Sequence, residues 1–490
     1  MLKLLLVLSL FIYFFSGALF AQEIPENLIY RDVSSTNLPL GALGTNNMDA
    51  RPADLDGDGD LDIVIAVEFF RNLVLINNGS GVFTNESNSR LPAQNNDSED
   101  IGIADFDGNG TLDIIFVSED DSTNELYLND GTGVFTNASS RIPVNGISNA
   151  VLVTELSGDT SPDIIIGNDG ANRVLINDGS GNFTDETLAR YPEGNGITQD
   201  LEWGDIDGDG DGDIIEANED GNRVLINDGN GSFSDETGAR ITFTFSGEET
   251  READLGDVDN DGDLDLFFAN VTFLQGRPSQ NRLLINDGNG FFQDETVSRL
   301  PSETLNTIDA DFNDIDGDGD LDVIAVSAFV GTYQIFINDG AGVFTDSTTR
   351  YFLPPPSGSG VDAEFADFSG DGIPDIYLTG FQRTDYLFFG EVMTGIEEPV
   401  SNIESFELLG NYPNPFNPTT TIAFRLPQAE AVELNIYDSG GRFIQQLINS
   451  VMPAGENRIL FDAANLSSGV YLYSLRAGMR VLSKKMMLLK

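Results

Sequence analysis

The 490-residue chain contains no histidine and no cysteine, and its four lysines are Lys3, Lys484, Lys485 and Lys490. The first two absences exclude Cys/His zinc sites, Ser-His-Asp and Cys-His nucleophiles, histidine-ligated haem and any disulfide framework. The third excludes Schiff-base and general-base lysines from residues 4 to 483. Helical periodicity of any length is missing as well. Whatever this protein binds or does must rest on oxygen ligands.

Acid is what the chain has in excess: 81 Asp plus Glu against 24 Lys plus Arg, a formal charge of -57 at pH 7. Residues 401–490 hold 7 acids and 8 bases, whereas residues 1–400 hold 74 and 16, a net of -58, so two regions with different physics are joined. The negative field of the larger region repels nucleic acid and anionic lipid and favours cations and basic partners. With 40% hydrophobic residues, cores are nonetheless expected.

The N-terminus reads as an export signal over residues 1–21: Lys3, an apolar run from Leu4 to Phe15, then Ser16, Gly17 and Ala18 leading to Ala21. The run is short for a bilayer span, and no cysteine follows it for lipid attachment.

Between residues 28 and 392 an acidic segment recurs seven times: DLDGDGDLD at 54–62, DFDGNGTLD at 105–113, ELSGDTSPD at 155–163, DIDGDGDGD at 205–213, DVDNDGDLD at 257–265, DIDGDGDLD at 314–322 and DFSGDGIPD at 367–375. Each is followed by two short apolar runs, a turn such as NDGSG at 177–181 and a strand-like piece such as FTDET at 183–187. Runs of that kind between Gly/Asp/Asn turns are strands, and four per 50 residues or so is the pattern of a propeller blade. The seventh repeat lacks the FTDET piece, but YRDVSSTNLP at 30–39 resembles FTNESNSRLP at 83–92. The N-terminal segment is therefore expected to supply the outermost strand of the last blade and remove two open sheet edges.

The acidic segments follow D-x-D/N-x-D/N-G-x-x-D or nearly so. Alternate carboxylates on a tight turn point inward and the last acid closes the cage, an arrangement suited to hard Ca²⁺, which takes oxygens at roughly 2.3–2.6 Å. An EF-hand would need Glu at the twelfth position, where Ile65, Phe116, Phe268 and Ala325 stand. The expected ligands in loop one are Asp54, Asp56, Asp58, Asp60 and Asp62; in loop two Asp105, Asp107, Asn109 and Asp113; in loop four Asp205, Asp207, Asp209 and Asp213. Loop five offers Asp257, Asp259, Asp261 and Asp265, loop six Asp314, Asp316, Asp318 and Asp322, and loop seven Asp367, Ser369, Asp371 and Asp375. Loop three, with Glu155, Ser157 and Thr160, is expected to be weak or empty, leaving five or six calcium ions.

This region resembles the FG-GAP/VCBS repeat family, which includes the integrin α-subunit propeller. The resemblance implies Ca²⁺ in the turn between the first and second strands of each blade, on one face, and partner binding on the opposite face. In loop one it implies ligation by the side chains of Asp54, Asp56, Asp58 and Asp62 and by the carbonyl of Asp60.

Five residues before each acidic loop stand Asp49, Asp100, Ala150, Asp200, Glu252, Asp309 and Asp362, and three before stand Glu202, Asp254, Asp311 and Glu364, with Arg51 in the first repeat. These form an acidic collar at the opposite mouth, either for a cation or basic group or simply bonding adjacent backbone. Phe69, Phe70 and Arg71, Phe273 to Arg277, Phe329 to Tyr333, Tyr351 to Gly360 and Phe381 to Arg383 fall on the same side, where aromatics and arginine serve recognition. Trp203 is assigned to packing between blades.

After a linker at 395–405, residues 406–490 alternate apolar and polar residues with turn signals about every ten, as in a small Ig-like β-sandwich. NYPNPFNPTTTIAFRLP at 411–427 and the terminal KKMMLLK at 484–490 resemble the type A C-terminal sorting domain of the type IX secretion system. That resemblance implies passage through a Gram-negative outer membrane and release or anchoring at the surface.

The sequence thus predicts an all-β chain: a seven-bladed calcium-binding β-propeller and an Ig-like sandwich, in a secreted or surface-attached monomer. The propeller is expected to bind an extracellular glycan, protein or surface without catalysis. The alternatives are an extracellular polysaccharide-degrading enzyme using carboxylates, and a structural cell-surface protein. No nucleic acid and no membrane insertion are expected after signal removal.

Overall fold

The computed structural model describes residues 28–39, 46–119, 123–241, 247–273, 277–302, 305–328, 333–352, 356, 358–392, 407–426, 430–438, 442–452, 455–463, 466–477 and 480–490. The expected export signal and linker lie outside them. The chain divides into two compact units, residues 1–392 and 393–490.

The first unit is built from seven four-stranded antiparallel sheets. Sheet one runs Asn47–Ala53, Asp62–Val67, Leu73–Asn77 and Phe83–Asn85, in that spatial order. Sheets two to six repeat this order from first strands beginning at Ser98, Ser148, Thr198, Thr250 and Thr307. Every second strand is buried along its whole length, which is why an apolar run instead of an alternation follows its opening Asp. Neighbouring sheets share cores: Ile63, Ile65 and Leu75 of sheet one pack with Tyr377 and Leu387 of sheet seven.

Sheet seven contains Gly360–Ala366, Asp375–Gly380 and Tyr386–Val392, and its fourth strand is Leu28–Asp32, with Tyr30 opposite Gly390. The N-terminal segment fills the missing edge, as expected. Each first strand adjoins that of the next sheet, and that of sheet seven adjoins that of sheet one, so the sheets close a ring. Fourth strands lead into short turns of helix that the sequence reading missed, such as Thr187–Arg190. There the DxT of FTDET fixes the turn to its sheet: Asp185 Oδ1 accepts the Thr187 N–H at 3.0 Å, and Thr187 Oγ1 accepts the Val174 N–H of the third strand at 2.9 Å.

The second unit has two antiparallel sheets. One joins Glu407–Tyr412, Thr419–Leu426 and Gly455–Asp462; the other has the order Phe443–Met452, Glu430–Asp438, Gly469–Ala477, Arg480–Leu488. Both contribute to one apolar core, including Phe424 and Phe461 from the first sheet and Leu434, Leu475 and Met486 from the second. Among the described residues no helix is long and apolar enough to cross a membrane.

Candidate metal loops and a carboxylate-lined ring centre

Each acidic segment is the turn from a first to a second strand. Its ninth residue opens the second strand and is buried in all seven sheets. Asp62 Oδ1 accepts the Asn77 N–H at 2.8 Å and Oδ2 the Leu55 N–H at 3.2 Å. In sheet six Asp322 does the same with Asn338 and Ile315, at 2.8 and 2.9 Å. Both oxygens of the ninth acid therefore already brace the loop against the third strand, with lone pairs to spare. Burial pushes these carboxyls up, to about 6 at Asp113, about 7 at Asp62, Asp213, Asp265 and Asp375, and about 8 at Asp322, against the pull of the backbone donors.

The first acid gathers the turn's amides. Asp54 accepts the Gly57 and Gly59 N–H groups at 2.8 and 3.1 Å, and Asp205 those of Gly208 and Gly210 at 2.9 and 3.0 Å. The fifth accepts the amide two residues on, as Asp58 does from Asp60 at 3.0 Å. Asp60 itself leans over the next turn, where a Cβ on Gly79 would collide with its side chain.

The third acid is different. Asp56, Asp207 and Asp259 each give Oδ2 to an arginine, Arg90, Arg240 and Arg299, at 3.0, 2.9 and 3.2 Å, while Asp316 Oδ2 accepts the Tyr351 hydroxyl at 3.3 Å. In all four the Oδ1 atom is buried with no hydrogen-bond partner. An unmet buried acceptor is costly, and the same atom is unmet in loops one, four, five and six. Oxygens of Asp54, Asp56 and Asp58 lie within 4.8 Å of one another, as do those of Asp105, Asp107 and Asp113 and of Asp205, Asp207 and Asp213. Oxygens bound to one calcium are at most about 5 Å apart, so donor type and spacing both fit that ion.

The other loops depart from this pattern where their sequences do. In loop three Glu155 Oε1 is shared by the Ser157, Gly158 and Asp159 amides, and Thr160 takes φ +76° where the other loops place glycine. Loop two turns the Asn109 amide onto the Asn129 carbonyl at 3.1 Å, and in loop seven Ser369 Oγ donates to Asp367 Oδ1 at 3.4 Å.

Two parts of the loop face escaped the sequence reading. Arg90, Arg190, Arg240 and Arg299, seven residues after the fourth-strand phenylalanine, reach the turn of the following sheet; Arg240 donates to the Asn289 carbonyl at 2.6 Å. The asparagine ending each of the first six third strands accepts from its own glycine turn, and most also donate to the preceding sheet's loop. Asn129 Nδ2, for example, donates to the Leu55 carbonyl at 2.8 Å. The repeating Arg and NDG positions were the available signals.

At the other end of the first strands, a bulge precedes Asp49, Asp100, Ala150, Asp200, Glu252 and Asp309, and Asp362 lies within the corresponding shift of sheet seven. Two residues on stand Glu202, Asp254, Asp311, Glu364 and Arg51, so ten carboxylates and one guanidinium occupy these two tiers. Arg51 lies 2.8 Å from Glu364, 3.5 Å from Asp49 and 3.6 Å from Asp100. Burial raises Glu202 and Glu364 to about 8, Asp200 to about 7 and Asp311 to about 6, and pushes Asp49, Glu252, Asp254, Asp309 and Asp362 well up. Nearby like charges add to this, and Arg51 opposes it at several of them.

On the same side, in the connections from second to third strands, Phe69 and Phe70 are each 51% exposed. Arg251 stands over Phe273 at 5.0 Å, and Arg383 over Tyr386 at 4.3 Å. Residues 274–276, 329–332, 353–355 and 357 of the expected recognition segments lie outside the described residues. Trp203 packs edge-on against Phe233 at 6.2 Å and covers Gly212, a packing role as expected.

The molecule was compared with known proteins. Among solved structures, the chain is similar to PorZ, an essential surface component of the type IX secretion system of Porphyromonas gingivalis, at 13% identity and TM-score 0.45, covering 92% of this chain and 61% of that one. It thus spans about three-fifths of that protein's length. It is also similar to the Photorhabdus luminescens Tc holotoxin pore (15%, TM-score 0.34, 91% and 18%) and to the Aleuria aurantia lectin in complex with a fucoside (14%, TM-score 0.36, 62% and 94%). Among curated proteins no relative matches. Residues 411–489 match the secretion system C-terminal sorting domain, which marks the protein for type IX export to the cell surface or beyond. The FG-GAP-like repeat matches at 54–116, 105–154, 156–216, 205–268, 257–325 and 314–378. Those matches take in the acidic turns, and by them the chain belongs to the FG-GAP-like repeat family.

Proposed function

We propose that the first unit is a seven-bladed β-propeller stabilised by calcium in its acidic loops, and that it acts as a recognition module outside the cell, binding a glycan or protein without catalysis. The second unit, read as an Ig-like sandwich, serves export. The unmet Oδ1 atoms of Asp56, Asp207, Asp259 and Asp316 carry the metal reading. When bound, Ca²⁺ supplies positive charge and oxygen coordination to turns that otherwise hold several carboxylates in contact. Asp54, Asp56, Asp58 and Asp62 would hold it in loop one, with the equivalent residues in loops two, four, five, six and seven.

The recognition reading draws on the exposed Phe69 and Phe70 and on the arginine-capped Phe273 and Tyr386 on the same side of the sheets, since aromatic and arginine side chains are what binding sites use. Binding to a glycan array and to extracellular-matrix proteins tests it. Phe69→Ala/Phe70→Ala should lose the ligand while melting within about 2 °C of the parent, because exposed substitutions cost little. Hydrolysis or cleavage of a polysaccharide panel that disappears in Asp200→Asn and Asp309→Asn would replace this reading by an enzymatic one. For the metal, melting with and without a chelator decides. One site at a hundred times its Kd adds about 2.7 kcal/mol, so six filled sites would separate the two curves widely, and superimposable curves would exclude structural calcium.

A further inference from the structure

Hydrogen bonding accounts for only part of the carboxylates at the ring's centre. Asp362 Oδ2 accepts the Ala50 N–H at 3.1 Å, Asp100 Oδ2 that of Val151 at 2.6 Å and Asp200 Oδ2 that of Ala253 at 3.1 Å. Each thereby ties its sheet to the next, the structural role that acids here can play. Asp49 and Asp309 do not follow them. Each is only 6% exposed, yet Oδ2 of both is buried with no hydrogen-bond partner.

Arg51 does not resolve this. Its nitrogens lie nearest Glu364 Oε1, at 2.8 Å, and Asp49 Oδ1, at 3.5 Å, so the Oδ2 atom of Asp49 remains unmet. One carboxylate oxygen from each of Asp49, Asp362 and Glu364 lies within 4.8 Å of the others. That is the span of oxygens around a single hard cation, at most about 5 Å. Asp309, the next acid round the ring from Asp362, brings its own unmet oxygen to the same tier.

We propose that the centre of the ring holds a divalent cation of the calcium type, bound by Asp49, Asp362 and Glu364 and flanked by Asp309, separate from the ions of the acidic loops. The loops lie at the opposite ends of the same strands, so neither set of residues contributes to the other site. The central ion sits where the first strands of sheets seven and one meet, and clamps that junction. It does not require the loops to be filled.

The test counts ions. Full-length protein is equilibrated with Ca²⁺ and the bound metal per chain is measured for the parent, for Asp49→Asn/Asp309→Asn and for the loop variant Asp207→Asn/Asp259→Asn. The central variant should bind one ion fewer than the parent, while the loop variant keeps the central ion and loses those of loops four and five. An unchanged count in the central variant overturns the proposal, whatever the loops do. A parent that binds a single ion, lost only in the central variant, supports it and rejects the loop sites. Folding is checked in chelator, where replacing two buried carboxylates that each keep an unmet oxygen should raise the melting temperature. A lower melting temperature there would assign Asp49 and Asp309 a purely structural role and overturn the proposal. Glu364→Gln, which keeps an acceptor for Arg51, should reduce the affinity of that one ion at least tenfold.

Discussion

Closure of the ring can be tested at Tyr30. This side chain is 1% exposed and belongs to a cluster with Phe352, Ile376 and Phe388; its ring lies 6.0 Å from that of Phe352. Tyr30→Ala removes an aromatic ring from a packed core and should cost about 3–5 kcal/mol. Unfolding entropy is about 2.1 cal/mol/K per residue, so a unit of about 365 residues loses about 1.3 °C of melting temperature per kcal/mol, or about 4–6.5 °C for this variant. Tyr30→Phe supplies the control. The hydroxyl is buried with no hydrogen-bond partner, so its removal should leave stability unchanged or raise it by about 1 kcal/mol. Differential scanning calorimetry of the full chain at fixed Ca²⁺ reads both. A Tyr30→Ala shift under about 1 °C would mean that the N-terminal strand does not seal sheet seven. A Tyr30→Phe variant that melts like Tyr30→Ala would mean that the hydroxyl, not the ring, is what holds it.

Three further outcomes follow from the loops and the ring centre. Buried carboxyls raised to about 7 at Asp213 and Asp265 and about 8 at Glu202 and Glu364 stabilise the fold when protonated. Their contribution is full below the ordinary carboxylate range and is lost as pH rises through 6 to 8, so in chelator the melting temperature should fall from pH 5 to pH 8.5. A flat or rising trend would contradict the burial argument, and saturating Ca²⁺ should weaken the fall. Arg240→Ala strands Asp207 and should cost about 3 kcal/mol in chelator, but less in Ca²⁺, where the ion neutralises the same carboxylate; equal costs in both would place Asp207 outside the metal site. Asp207→Asn keeps an acceptor for Arg240, which also pairs with Glu236, so it should cost less than Arg240→Ala in chelator but more in Ca²⁺ than in chelator, read by the same melting curves; equal costs in the two would place Asp207 outside the metal site.

The repeat, the strands and the closing edge were legible because each has a local signature: an apolar run, a glycine turn, or the likeness of YRDVSSTNLP to FTNESNSRLP. The family resemblance is borne out by the repeat and sorting-domain matches. What the sequence could not display was division of labour within one motif. Asp54, Asp56 and Asp62 look alike as letters, yet the first gathers amides, the second is left with a bare oxygen and the third braces a strand. Part of that difference arises from distant partners: Arg90 lies 34 residues from Asp56, and Asn77 lies 15 from Asp62. The collar positions were legible by counting back from the loops, but the bulge that precedes them was not, since a bulge leaves no mark in an apolar–polar alternation. The arginine braces went unread because the partners that define them are far off in sequence: Arg90 reaches Asp56, 34 residues before it, and the Thr132 carbonyl, 42 residues after it.

Sheet seven joins residues separated by 360 positions, Arg31 and Glu391 among them. Such a contact is slow to find by diffusion of the chain, and when synthesis proceeds from the N-terminus it is also the last that can form. Until Tyr386–Val392 has emerged, Leu28–Asp32 has no partner and the ring cannot lock. Assembly therefore has a built-in order: six sheets are each built from strands contiguous in the chain and can form early, while closure of the ring waits for almost the whole unit.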